Sequence, residues 1–170
     1  SYSSGTPDGR VLALKGSFKR VAIYAGNINV RIDFDLITRC VQADSSTCFA
    51  FFGPVSVLSD VDTTLWNTLM VQPNVRYLGA VNPDEIPDLY AAADVGIIPY
   101  KETIYIRESG FALKALEMLA AGLPVVSTMM RPLVGISREL HVVEGRDEFT
   151  SVLARVERGS LSPRQFQAMR

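Results

Sequence analysis

Short apolar runs, most of them closed by glycine or proline, alternate along this chain with stretches in which apolar residues return every three or four positions. That alternation predicts strands separated by helices. The runs lie at 21–24, before Ala25 and Gly26; at 47–52, before Gly53 and Pro54; at 75–78, before Gly79; at 95–99, ending in Pro99; at 124–128; and at 141–143. Helical spacing joins Phe34, Leu36, Ile37, Cys40 and Val41 after Asp33. It joins Leu65, Leu69 and Met70 within 63–70, and Ile86, Leu89, Tyr90 and Ala93 around 83–92. Positions 111, 112, 115, 116, 119 and 120 make a further apolar face, and a closing helix is expected over 146–156. Segment 101–109, with charges of both signs, reads as a loop, and 10–19 carry no assigned element. Segment 1–9 is rich in Ser, Gly and Pro and reads as a leader; a last helical turn or two is expected within 162–170.

Most of the strands are apolar at every position rather than at alternate ones, which is the pattern of strands buried on both faces. With a helix between each pair, the fold class is α/β: a Rossmann-like, doubly wound, mostly parallel six-stranded sheet with helices on both faces. The division expected is a leader or linker over 1–19, one Rossmann-like domain over 20–158, and a tail over 159–170. In such sheets ligands bind beyond the carboxyl ends of the strands at the switch point. The turns at Gly26, Gly53 and Gly79 and the loop after Pro99 are expected to meet there.

The densest chemistry lies in 100–129, YKETIYIRESGFALKALEMLAAGLPVVSTM. Gly110 frees the backbone ahead of a helix, Gly122 suits the left-handed position past its end, and Pro124 cannot continue it. Lys114 and Glu117 are three apart and share a face, which by itself describes a surface ion pair. The unpaired N–H groups of 110–113 at the positive end of the same helix favour phosphate instead. Lys114 would add a point charge, and Glu117 could accept two hydroxyl hydrogens such as those of a ribose diol.

The segment ESGFALKALEMLAAGLPVVST resembles the signature of retaining glycosyltransferases of the GT-B fold, glycosyltransferase family 4 and its group 1 relatives, in their carboxy-terminal donor domain. In that family a glutamate is followed, after seven residues, by a second glutamate, a small-residue turn and PVV. Many relatives replace the first half with a lysine three before the second glutamate. The segments AGNINVR, followed by IDFDL, and VRYLGAVNPDEIPDLYAAADVGIIPY extend the resemblance over about 20–158. It implies that Glu117 holds the donor ribose and Lys114 the diphosphate, with Arg31 as a second cation. It further implies that the backbone at Gly26 and Asn27 and the amides of Gly110, Phe111 and Ala112 lie near phosphates and sugar, and that Gly79 and Val81 lie near the base. The chain departs from the pattern twice. Ser109 replaces the first glutamate, with Glu108 one residue out of register as its substitute, and Asn27 stands where an arginine is usual.

The reaction implied is metal-independent transfer from a UDP- or GDP-linked sugar, with no cofactor. The acceptor, a glycan or lipid-linked sugar, would be held by an amino-terminal domain that 170 residues cannot include, and that domain would make any contact with a membrane surface. The isolated chain is then expected to bind donor without transferring it. Seventeen basic against eighteen acidic residues leave a net charge of −1, so nucleic acid is not an expected partner and any anion site must be local. Cys40 and Cys48 lack metal-ligand spacing and suit reduced thiols in a cytoplasmic protein; the resemblance implies a role in polysaccharide biosynthesis, peripheral to the inner face of the membrane. His141 is the single histidine, no Ser-His-Asp set can be built, and neither a dinucleotide fingerprint nor a P-loop is present. Hydride transfer and ATP hydrolysis lose support on that ground. Two other classes stay open: a non-catalytic module of the same fold with a degenerate donor site, and an unrelated doubly wound domain. A receiver domain is one example of the latter, but the strand ends here carry glycine or proline where its acidic cluster would stand.

Overall fold

A computed structural model describes residues 6–159; the first five leader residues and the expected helical tail lie outside the described residues. Six strands form one sheet: β1 (Arg20–Ala25), β2 (Thr47–Phe52), β3 (Val75–Gly79), β4 (Val95–Ile98), β5 (Val125–Thr128) and β6 (Leu140–Val143). Every pairing is parallel and the order is β3-β2-β1-β4-β5-β6, so strand order reverses between β1 and β4. The sheet is therefore fully parallel, and all six expected strands are present.

Side chains of β1 and β2 alternate between two cores. Val21, Ile23, Cys48, Ala50 and Phe52 face one layer, built from α1 (Gly9–Leu14), α4 (Ile86–Ala92), α5 (Ile104–Ser109) and α6 (Leu113–Ala120). Ala22, Tyr24, Phe49 and Phe51 face the other, built from α2 (Phe34–Ala43), α3 (Asp60–Met70) and α7 (Arg146–Arg155). Burial on both faces is why these strands read as continuous apolar runs. On the second face Trp66 is met edge-on by Phe34, Phe51 and Tyr77, with ring centroids 6.0, 5.6 and 5.4 Å away, the favoured aromatic arrangement.

Helix starts follow their caps. Asp33 precedes α2, accepts the Leu36 amide at 3.0 Å and takes Arg146 Nε and Nη2 at 3.0 and 3.1 Å, pinning the start of α2 to the start of α7. Asn82 accepts the Asp84 amide while Glu85 accepts that of Asn82, a reciprocal cap ahead of α4.

The segment expected as a loop over 101–109 instead contains α5. Thr103 caps it, accepting the Ile106 amide at 3.2 Å, and only Ile106 is buried. Arg107 bonds Glu144 and lies 3.5 Å from Glu102, while Arg131 reaches Glu108 at 2.9 Å. The helix is held by charges that the sequence presents as polar surface. Residues within 10–19 also gain an element, α1, whose cap Asp8 accepts the Arg10 and Val11 amides and whose Val11 is fully buried. The helix expected from Phe111 begins two residues later, at Leu113, because Gly110 and Ala112 are extended. Among the described residues no helix is long and apolar enough to cross a membrane.

Candidate functional site

The switch point between β1 and β4 is where the candidate residues gather. The Gly26 amide donates to the Phe52 carbonyl at 2.9 Å and the Gly53 amide to the Gly79 carbonyl at 2.8 Å, so the three glycine turns lie side by side at the carboxyl edge of the sheet. Gly53 has φ +133°, and a β-carbon there would collide with the Gly26 carbonyl oxygen. Only glycine allows this approach.

Helix α6 delivers Lys114 to the Gly26 turn. A β-carbon at Gly26 would strike the Lys114 ammonium. Lys114 Nζ donates to the Tyr24 hydroxyl at 3.0 Å, which in turn donates to the Asn27 carbonyl at 2.8 Å. The ammonium stands 4.2 Å from the Tyr24 ring centroid and 5.7 Å from that of Tyr100, both within cation–π range. Lys114 and Glu117 do not pair with one another, and among the described residues no carboxylate answers Lys114.

Glu117 is half-buried, and its carboxylate has no hydrogen-bond or ion-pair partner among the described residues. Beside it lies Tyr90, 1 % exposed, whose hydroxyl is a buried polar atom without a partner. Burial, with the Glu117 charge adding to it, pushes the Tyr90 phenol well above its ordinary value. Burial and then Tyr100 do the same to Tyr24. Both phenols are neutral donors throughout the physiological range.

Next to this lies a cavity of about 220 Å³. Arg31, Ser109, Gly110 and Phe111 line it as a group, joined by Tyr100, Tyr105, Ile106 and Met130. No carboxylate lines it, and Arg31 has no ion-pair partner among the described residues. The N–H groups left unspent at the start of α6 are those of 111–114. The Gly110 amide is not among them, because it closes α5 on the Ile106 carbonyl at 2.9 Å. Ala112 is the residue before α6, 7 % exposed. Gly79 ends β3, two strands from β1, and Val81 follows it. Glu108 is turned to Arg131 and does not line the cavity. The structure thus joins Gly26, Asn27 and Lys114, groups Arg31 with 109–111, and leaves Glu108 apart.

Sequence reasoning missed three tyrosines. Tyr24 and Tyr90 read as apolar positions and Tyr100 carries no assigned role, yet a tyrosine placed where an aliphatic would pack must still settle its hydroxyl. That mismatch is the signal that was available.

The model of the family described as glycosyl transferases group 1 matches residues 20–156. A Bacillus subtilis protein named as the teichuronic acid biosynthesis glycosyltransferase TuaH is 34% identical over 128 residues, covering 75% of this chain and 31% of that protein. An uncharacterized glycosyltransferase of Methanocaldococcus jannaschii is 40% identical over 77 residues, 45% of this chain and 18% of that one. Among solved structures, the lipopolysaccharide outer core galactosyltransferase WaaB superposes with a TM-score of 0.65 at 14% identity, over 99% of this chain and 48% of that one. Anabaena HepE, solved with UDP and glucose, gives 0.62 at 13% identity, over 88% and 43%. At such identities the two structures establish the fold, that of GT-B glycosyltransferases. The chain spans about a third of the length of the Bacillus relative and under half of these structures. By its sequence along β1 to α7 and by its fold, this chain belongs to the glycosyl transferases group 1.

Proposed function

We propose that the chain is the carboxy-terminal, donor-binding part of a retaining, metal-independent glycosyltransferase and binds a nucleoside-diphosphate sugar at the switch point. The observation that carries this reading is the Lys114 ammonium. It stands against the Gly26 turn with no carboxylate beside it, carried by the helix whose first N–H groups, those of 111–114, are unspent. A cation carried by a helix whose starting N–H groups are unspent favours an anion.

The diphosphate lies between Lys114, those amides and Arg31. Glu117, an unpaired half-buried carboxylate, accepts the ribose hydroxyls, and the base lies toward Gly79 and Val81. The donor sugar enters the cavity beside Ser109, Gly110 and Phe111. On transfer the bond from the anomeric carbon to the diphosphate oxygen breaks and the oxygen keeps the electron pair. The charge that develops there is met by groups already in place. A hydroxyl oxygen of an acceptor glycan or lipid-linked sugar, held by a further domain, forms the new bond to the anomeric carbon, and its proton goes to the departing diphosphate oxygen. A role in polysaccharide biosynthesis accords with the Bacillus relative, and UDP as the carrier with HepE.

Magnesium-free calorimetric titration with UDP, GDP and ADP tests the reading. One of the three is expected to bind. Lys114→Ala should weaken it by about tenfold or more, the scale of a lost charge-assisted hydrogen bond, and Glu117→Ala should weaken it while abolishing preference over the 2′-deoxy nucleotide. Binding that both variants retain in full would sink the assignment. No binding at all would favour a non-catalytic module.

A further inference from the structure

We propose that Tyr24 is the positioning residue of this site: its hydroxyl fixes where the Lys114 ammonium stands before any ligand arrives. The proposal rests on the donor-site reading and goes beyond it.

The other buried members of β1, Val21, Ala22, Ile23 and Ala25, carry no polar side-chain atom, and Tyr24 itself has 0% exposure. Its hydroxyl must therefore find partners inside the protein. Its hydrogen bonds run to Asn27 O at 2.8 Å and Lys114 Nζ at 3.0 Å, and the Tyr100 side chain adjoins it. A carbonyl only accepts and an ammonium only donates. The single phenol proton must therefore go to Asn27, and a phenol lone pair takes one Lys114 N–H. The direction of the relay is fixed: Lys114 to Tyr24 to the carbonyl of the turn.

Two consequences follow from that direction. The relay ties α6, which follows β4, to the turn that follows β1, so the two sides of the switch point are held in register by one hydroxyl. It also spends one of the three ammonium protons and leaves two that no described residue accepts. The Tyr24 and Tyr100 rings, 4.2 and 5.7 Å from the ammonium, narrow its freedom further. A lysine is a long, flexible side chain, and one ordered in advance loses less entropy when the anion arrives. Tyr24 does not reach the ligand; it acts through Lys114.

The alternative is that Tyr24 fills the core and merely satisfies its hydroxyl. A double-mutant cycle separates the two. UDP, GDP, ADP and the matching monophosphates are titrated into the unaltered chain, Tyr24→Phe, Lys114→Met and the double variant, with melting temperatures recorded for each. Phenylalanine keeps the ring and its packing. Tyr24→Phe is expected to bind the diphosphate about tenfold more weakly, the scale of a hydrogen bond to a charged group, with a smaller loss for the monophosphate. In the Lys114→Met background the same change should cost less than about twofold, because the group it acts through is gone.

Unchanged diphosphate affinity in Tyr24→Phe overturns the proposal while leaving the donor reading intact, as does an equal loss in both backgrounds. If the unaltered chain binds none of the three diphosphates, the donor reading fails and the role of Tyr24 fails with it. A melting temperature lowered in Tyr24→Phe alongside the expected cycle still supports the proposal, because the cycle cancels effects that do not pass through Lys114.

Discussion

Lys114 and Glu117 are three residues apart on α6, and their spacing was readable; their partners were not. Lys114 turns across the sheet edge to Tyr24, ninety positions away in sequence, and the Glu117 charge is felt by the buried Tyr90 phenol. A surface ion pair was the simplest reading of the spacing, and the tertiary environment replaced it. Cys40 and Cys48 show the opposite case, in which burial alone decides the chemistry. Both are free and buried, and burial pushes each thiol from an ordinary value near 9 up to about 11. The folded chain therefore holds these protons more tightly than the unfolded one. The stability they contribute is complete below pH 9 and is lost as pH rises toward about 11. Urea denaturation at a series of pH values across that window should show stability falling, and the Cys40→Ala, Cys48→Ala double variant should show a shallower fall. Tyr24 and Tyr90, raised in the same direction, add their own loss at higher pH.

Helices α2 and α7 depend on a shared carboxylate. Asp33, 7 % exposed, caps α2 and receives the Arg146 guanidinium through two hydrogen bonds. Asp33→Ala removes a buried cap and one partner of a partly exposed guanidinium that keeps Asp35 nearby, so a loss of about 1–2 kcal/mol is expected by chemical denaturation. Arg146→Ala should cost less, because the arginine is partly in solvent and Asp33 keeps its bond to Leu36. Equal losses would mean that the pair, and not the cap, dominates. The two helices that the pattern did not reveal, α1 and α5, have six residues each and bury one side chain each, Val11 and Ile106. A periodicity needs at least two turns of buried positions before it stands out. Both instead depend on caps and, in α5, on ion pairs with residues far along the chain, such as Glu144 and Arg131.

Across the whole molecule the site exists because strand order reverses between β1 and β4, which opens the crevice that Lys114 and the Gly26 turn share. A nucleoside diphosphate bound there would bridge the turn after β1 and α6 and should stabilise the domain as a unit. At about 100 times its dissociation constant it adds about 2.7 kcal/mol, a rise of roughly 5–11 °C in melting temperature for a chain of this size. A radiolabelled donor incubated with the chain and mixed acceptors should give no transfer product, since the acceptor site is assigned to a separate domain. Transfer by these 170 residues alone would overturn that division of labour. What the sequence determined by itself was local: which segments are strands, that they are buried on both faces, where the glycines break them, and the Lys114 and Glu117 spacing on a helix. These are legible because periodicity and turn chemistry act within a few residues. Only the tertiary structure decided that Lys114 leans on Tyr24 rather than Glu117, that Glu108 is drawn off by Arg131, and that Gly110 spends its amide on α5. Each of these is a contest between partners, and the winner is set by which groups the fold brings within about 3 Å in a place from which water is largely excluded.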